Sequence, residues 1–285
     1  MKEIIYAKNI VKIYEQTTKK KQLNILKGMG TESTKNGQKK KTESTKFKAL
    51  DNVSLNVNEG DFICIMGPSG SGKSTFLNIL STIDVPNTGI IKVNGHSVPT
   101  MSEKEIARFR YENIGYIFQD FNLLDALTLR ENIGVPLALA NVKAEEIKPR
   151  VEEIAVKLSI DHLLDKFPSE CSGGQKQRVA CARALISNPN IIVADEPTGN
   201  LDTKNSHELL NILKERNEKD GTAILMVTHD SMIASYSKKL IFIRDGKIDD
   251  MLERGDLSQK EFFYKIVDIT SKESQSLFDE IEKEN

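Results

Sequence analysis

The chain has 285 residues, and its 40 lysines and arginines face 41 acidic residues, a formal net charge of −1. That balance excludes a general electrostatic nucleic-acid binder. Three scattered cysteines (Cys64, Cys171, Cys181) exclude a disulfide framework or zinc site and read as reduced thiols of a cytosolic setting.

Short apolar runs alternate with longer segments of helical period, the pattern of an α/β domain with a largely parallel sheet. The predicted strands are Ile4–Ile13, Val53–Val57, Phe62–Met66, Ile90–Val93, Ile114–Phe118, Ile191–Ala194, Ala223–Val227 and Leu240–Ile243. Helices are expected after Gly72, Ser102, Thr128, Ala144, Gly174, Asp202 and Asp230. Ser102 with Glu105 and Thr128 with Glu131 fit capping boxes. Pro86–Gly89 reads as a turn before a strand, and Arg244–Lys247 as a hairpin turn. No run approaches the ~18 uncharged apolar residues of a membrane span, and Met1–Ile10 lacks the apolar core of a secretory signal.

Two segments differ from the rest. Residues 18–48 hold ten lysines, no arginine and two glutamates, and repeat Thr-Glu-Ser-Thr-Lys at 31–35 and 42–46. They read as a lysine-rich insertion forming a solvated loop, or alternatively a basic arm for anionic lipid or an acidic partner; Leu23, Ile25 and Leu26 could order part of it. Residues 251–285 form an acidic tail in which Phe262, Phe263 and Ile266 have helical spacing, read as a helix packed on the domain. One domain is therefore expected over 1–250, followed by that tail.

The chemistry concentrates in three places. Gly67, Pro68, Ser69, Gly70, Ser71, Gly72, Lys73, Ser74 and Thr75 match G-x-x-x-x-G-K-[ST], after an apolar run and before an apolar helix. Such a loop turns successive N–H groups inward at a helix N-terminus and makes an anion site. Lys73 would reach the β/γ-phosphates of a nucleotide, and Ser74 would offer a hydroxyl to Mg²⁺. Ile191–Glu196 is an apolar run ending in two acids, where open α/β sheets bind ligands. Asp195 there would hold Mg²⁺ through water, and Glu196 would be the general base for an attacking water. Ser172, Gly173 and Gly174, followed by Gln175, open another helix and make a second potential phosphate site. A second site is redundant within one chain, but useful if two copies face each other and each caps the other's γ-phosphate.

Together these motifs resemble the ATP-binding cassette (ABC) ATPases, over nearly the whole chain apart from 18–48 and the tail. The resemblance implies a P-loop fold with a mostly parallel core sheet, an antiparallel β subdomain and a helical subdomain over about 120–175. It implies that Gln119 touches Mg²⁺ or water, that Asp202 lies at a dimer interface, and that His229 contacts the γ-phosphate. It also implies that Tyr14 lies against adenine. Cys171 departs from the family's usual leucine; leucine there packs rather than binding phosphate, so the change should be tolerated. Gly115–Asp125 and Leu129–Asn132 closely resemble the lipoprotein-release, macrolide-export and peptide-resistance branch, and Ile83–Asp84 with Asp120–Asn122 resemble its Bce-type subgroup. That subgroup implies a peripheral subunit on the cytoplasmic face, using ATP and Mg²⁺, paired with a second copy of itself and a permease. The permease would carry an FtsX-like large extracellular domain, and a sensor histidine kinase often accompanies it. The resemblance points to antimicrobial-peptide resistance or export and leaves open a regulatory, mechanotransmitting role on a sensor kinase or cell-wall enzyme, or lipoprotein release. The segment 119–132 would bear the permease's cytoplasmic helices.

Overall fold

The computed structural model describes residues 2–18 and 43–284. Residues 19–42, most of the lysine-rich insertion with Leu23, Ile25 and Leu26, lie outside the described residues. In chain order the strands are β1 (Glu3–Thr18), β2 (Glu43–Asn58), β3 (Phe62–Met66), β4 (Thr88–Val93), β5 (His96–Ser97), β6 (Ile114–Ile117), β7 (Ile191–Asp195), β8 (Ala223–Val227), β9 (Lys239–Arg244) and β10 (Lys247–Glu253). The helices are α1 (Lys73–Leu80), α2 (Glu103–Asn113), α3 (Leu129–Leu139), α4 (Ala144–Lys157), α5 (Gly173–Leu185), α6 (Thr203–Asp220), α7 (Ser231–Ala234) and α8 (Gln259–Glu284).

The central sheet runs β10-β9-β3-β8-β7-β6, parallel throughout except for the edge strand β10. Its two central strands, β3 and β8, are apolar at every position because both faces are covered. Along β3 the side chains alternate. Phe62, Cys64 and Met66 enter one core with α3, α4, α5 and α8, while Ile63 and Ile65 enter a second with α1 and the other sheet. Strands β7 and β8 repeat that division, Ile192 and Met226 on one side, Val193 and Leu225 on the other. The second sheet, β2-β1-β4-β5, is antiparallel and is roofed onto α1 through Ile5, Ile10, Leu50 and Ile91.

The sequence signals act locally as expected. Ser102–Glu105 and Thr128–Glu131 form complete capping boxes at α2 and α3, each stabilising its helix by about 1 kcal/mol. Asp245–Gly246 joins β9 to β10 with φ of 47° and 74°, the sign that suits the twist of a hairpin. The turn before α3 is pinned by Asn132, a fully buried amide. Its Nδ2 donates to the carbonyls of Leu124, Leu127 and Thr128, and its Oδ1 accepts from the Leu124 N–H.

Several boundaries differ from the sequence reading, and β1 runs to Thr18, five residues past the expected end at Ile13. β2 begins at Glu43, so 43–48 pair with β1 instead of belonging to the insertion. Thr88 and Gly89 lie inside β4. α5 starts at Gly173, two residues early, because Ser172 is its N-cap. β10 continues to Glu253, past the residue 250 at which the domain was expected to end. Beyond it α8 buries Phe262 and Ile266, one turn apart. Among the described residues no helix is long and apolar enough to cross a membrane.

Candidate functional site

The loop between β3 and α1 cannot be built from other residues. At Gly67 (φ 141°) a Cβ would sit 2.0 Å from the Ile243 carbonyl oxygen, and at Gly72 (φ 103°) 2.3 Å from that of Ala49. Both contacts are with backbone, so neither neighbour can yield. Lys73 Nζ folds back over the loop, donating to the carbonyls of Gly67 (2.9 Å) and Pro68 (2.7 Å). The N-terminus of α1 and the loop N–H groups give the site its anion preference.

This loop walls a cavity of about 610 Å³ lined by Gly67, Ser69, Gly70, Gly72, Lys73, Ser74, Thr75, Gln119, Asp195, Glu196 and His229. Pro68 and Ser71 belong to the loop but not to that lining; Ser71 is buried and its N–H bonds the Pro68 carbonyl at 3.3 Å. On the far wall Ser74 Oγ donates to Asp195 Oδ1 at 3.4 Å. Burial, reinforced by the charge of Glu196, holds the Asp195 carboxyl above the usual carboxylate range despite the Ser74 hydrogen bond and Lys73. A hydroxyl, a carboxylate and the Gln119 amide are hard oxygen donors, the chemistry that suits Mg²⁺ completed by phosphate and water.

Glu196 follows β7 in the left-handed region, with φ 48°. A non-glycine residue holds that conformation only where its surroundings enforce it. Here its N–H is bound to the Val227 carbonyl at 3.0 Å, which turns the side chain out of the strand. The carboxylate then accepts from Nδ1–H of His229 at 2.8 Å and from the Thr228 hydroxyl at 3.4 Å. The imidazole is exposed and the carboxylate largely enclosed, with side-chain exposures of 81% and 16%. An acid oriented by two donors at the mouth of an anion site can accept a proton from water.

The remaining residues lie elsewhere. Ser172, Gly174, Gln175 and Asp202 line a separate cavity of about 440 Å³ with Ser159, His162 and Arg178. Ser172 Oγ accepts from the Gln175 N–H at 3.4 Å, while Gln175 Oε1 accepts from the Ser172 N–H at 2.9 Å. Gly173 sits beside Asn200, whose Nδ2 reaches the Gln119 carbonyl at 3.4 Å. Cys171 packs its half-buried side chain on the larger core, its Sγ 3.6 Å from the Phe167 carbonyl.

Tyr14 is not among the residues lining the first cavity; Phe47, its direct cross-strand partner, is. The Tyr14 hydroxyl donates to Asp84 Oδ2 at 2.9 Å, and Lys12, itself paired with Asp84 at 2.6 Å, lies 5.0 Å from the ring centre. Sequence reading missed Phe47 because lysines surround it; its signal was the period-2 spacing to Ala49, which also lines the cavity. Thr228 offered no local signal, since its partner is more than 30 residues away.

Comparison with known proteins agrees with this geometry. A family profile described as "ABC transporter" matches residues 50–199. The chain is 49% identical over 225 residues (79% of its length, 86% of the relative) to the uncharacterized ABC transporter ATP-binding protein YvcR of Bacillus subtilis. It is 46% identical over 226 residues (79% and 89%) to the bacitracin export ATP-binding protein BceA of Halalkalibacterium halodurans. The dimeric, post-hydrolysis structure of the cassette MJ0796 with ADP and phosphate superimposes with a TM-score of 0.74 at 35% identity, covering 88% of this chain and 98% of that one. A phosphate-binding loop facing two strand-end acids, on a fold shared with these cassettes, places the chain in the ABC transporter family as an ATP-binding and ATP-hydrolysing subunit.

Proposed function

We propose that two copies of the chain close on two Mg·ATP molecules and drive a membrane permease. The observation that supports this is the separation of the site into two cavities. Phosphate-binding, acidic and imidazole groups share one, while Ser172, Gly174 and Asp202 line the other. A dimer brings the second cavity of one copy over the first cavity of its partner, and the solved MJ0796 cassette is dimeric.

In this reading Lys73 and the N–H groups of residues 69–75 hold the phosphates. Ser74, Gln119 and Asp195, the last through water, hold Mg²⁺, which neutralises charge on the transferred phosphoryl group. Glu196 takes the proton of the attacking water, and His229 both orients Glu196 and meets the γ-phosphate. Tyr14 and its neighbour Phe47 face the base.

An apolar groove of about 510 Å³, lined by Tyr111, Tyr116, Phe118, Pro136 and Leu139 between α2, β6, α3 and α5, receives the permease's cytoplasmic helix. The relation to the bacitracin export protein supports a cargo among cell-wall-directed antimicrobial peptides and a permease with a large FtsX-like extracellular domain. The experiment is a pull-down with tagged Glu196→Gln from mild-detergent membranes, read by mass spectrometry. A stoichiometric permease with a large extracellular domain supports the reading. A small four-span partner contradicts the peptide assignment, and no membrane partner contradicts the transport role.

A further inference from the structure

The segment carrying Gln119 is held by a residue that no motif includes. Arg183, two residues from the end of α5, donates from Nη1 to the Asn122 carbonyl at 2.5 Å and from Nη2 to the Phe121 carbonyl at 2.7 Å. Phe121 and Asn122 are both left-handed, with φ of 58° and 48°. Two successive non-glycine residues adopt that conformation only under external constraint. No carboxylate pairs with Arg183 among the described residues, so its half-buried guanidinium meets its desolvation through these carbonyls. The other end of α5 also touches the loop, because a Cβ at Gly173 would lie 3.8 Å from the Phe121 ring. The planar fork fits two adjacent carbonyls; an ammonium would serve one.

We propose that Arg183 is a positioning residue for Gln119, fixing the turn that aims the amide at the nucleotide cavity and tying it to the helix that Ser172 caps. This rests on the reading of Gln119 as a contact to Mg²⁺ or its water. The groove floor includes Arg183 and Asn122, so the same clamp lies beneath the proposed permease site.

A double-mutant cycle on the full chain tests this. Arg183→Lys keeps the charge and stem but loses the fork. It should lower kcat about tenfold and raise the half-saturating Mg²⁺ concentration severalfold, as for other residues behind a metal contact. Affinity for ATP in EDTA should change less than about twofold, because the phosphate loop is untouched. Added to Gln119→Ala, Arg183→Lys should do almost nothing more. Effects that multiply fully would overturn the positioning role, as would an equal loss of ATP affinity in EDTA. A silent Gln119→Ala would instead remove the reading beneath it, and the proposal with it. If Arg183→Lys does not fold, Arg183→Gln runs the same cycle with the same outcomes.

Discussion

The two cavities are built by opposite means. The proposed nucleotide cavity is made largely of backbone: a loop forced by two glycines, strand ends fixed by a sheet buried on both faces, and a left-handed Glu196 locked to Val227. The cavity at Ser172 is made of side chains on helix starts and a turn, and its central hydroxyl is occupied with capping its own helix. The first gathers a loop of anion-binding N–H groups, a lysine, two acids and an imidazole in one cavity. The second has donors, an acid (Asp202) and an imidazole (His162), but no glycine that a backbone contact enforces. A region that must stabilise developing charge is pre-organised, whereas one that arrives with a partner can be a cap that a phosphate later shares.

Breaking the first region should have the largest effects. Glu196→Gln should reduce ATP turnover about a thousandfold, the scale of a lost general base, with nucleotide affinity retained; turnover at the wild-type rate would refute the assignment. Lys73→Ala should weaken ATP binding about a hundredfold by removing a charge-assisted contact, checked by titration with a fluorescent nucleotide. Asp195 sharpens the comparison through pH. Its carboxyl is held above the usual range by burial, so acidification protonates it earlier than an ordinary aspartate. The neutral form cannot hold a cation, so the half-saturating Mg²⁺ concentration should climb as pH falls, and Asp195→Asn should flatten that dependence.

Outside the first cavity the expected changes are smaller. Asn132→Ala strips four hydrogen bonds from the turn 124–128. It should cost about 2 kcal/mol and lower Tm by about 5 °C, with ATP affinity unchanged. Cys171→Leu should alter turnover less than about twofold, since that side chain packs on the core and burial pushes its thiol up, away from reactivity.

What could be read from the sequence divides along the same line. The phosphate loop, the acids ending β7, the capping boxes and the parallel strands are local patterns whose physical cause lies within a few residues. The aromatic at 47 was hidden because composition outweighed period: lysines at 46 and 48 made a sheet strand look like part of a solvated loop. The left-handed Glu196 and the Arg183 clamp depend on partners 31 and 61 residues away, a distance over which no propensity speaks. The helix at Ser172 began early because its serine is the cap rather than a free ligand.

In the proposed dimer the two cavities complete each other across two copies. Its most direct test compares the Mg·ATP-dependent mass of Glu196→Gln with that of Glu196→Gln/Ser172→Asp by light scattering. Aspartate caps a helix as well as serine does, but sets a negative charge against the partner's phosphate. Glu196→Gln should double in mass, while the double variant should bind ATP with unchanged affinity and stay a single copy. Doubling of both variants, or of neither, would contradict it.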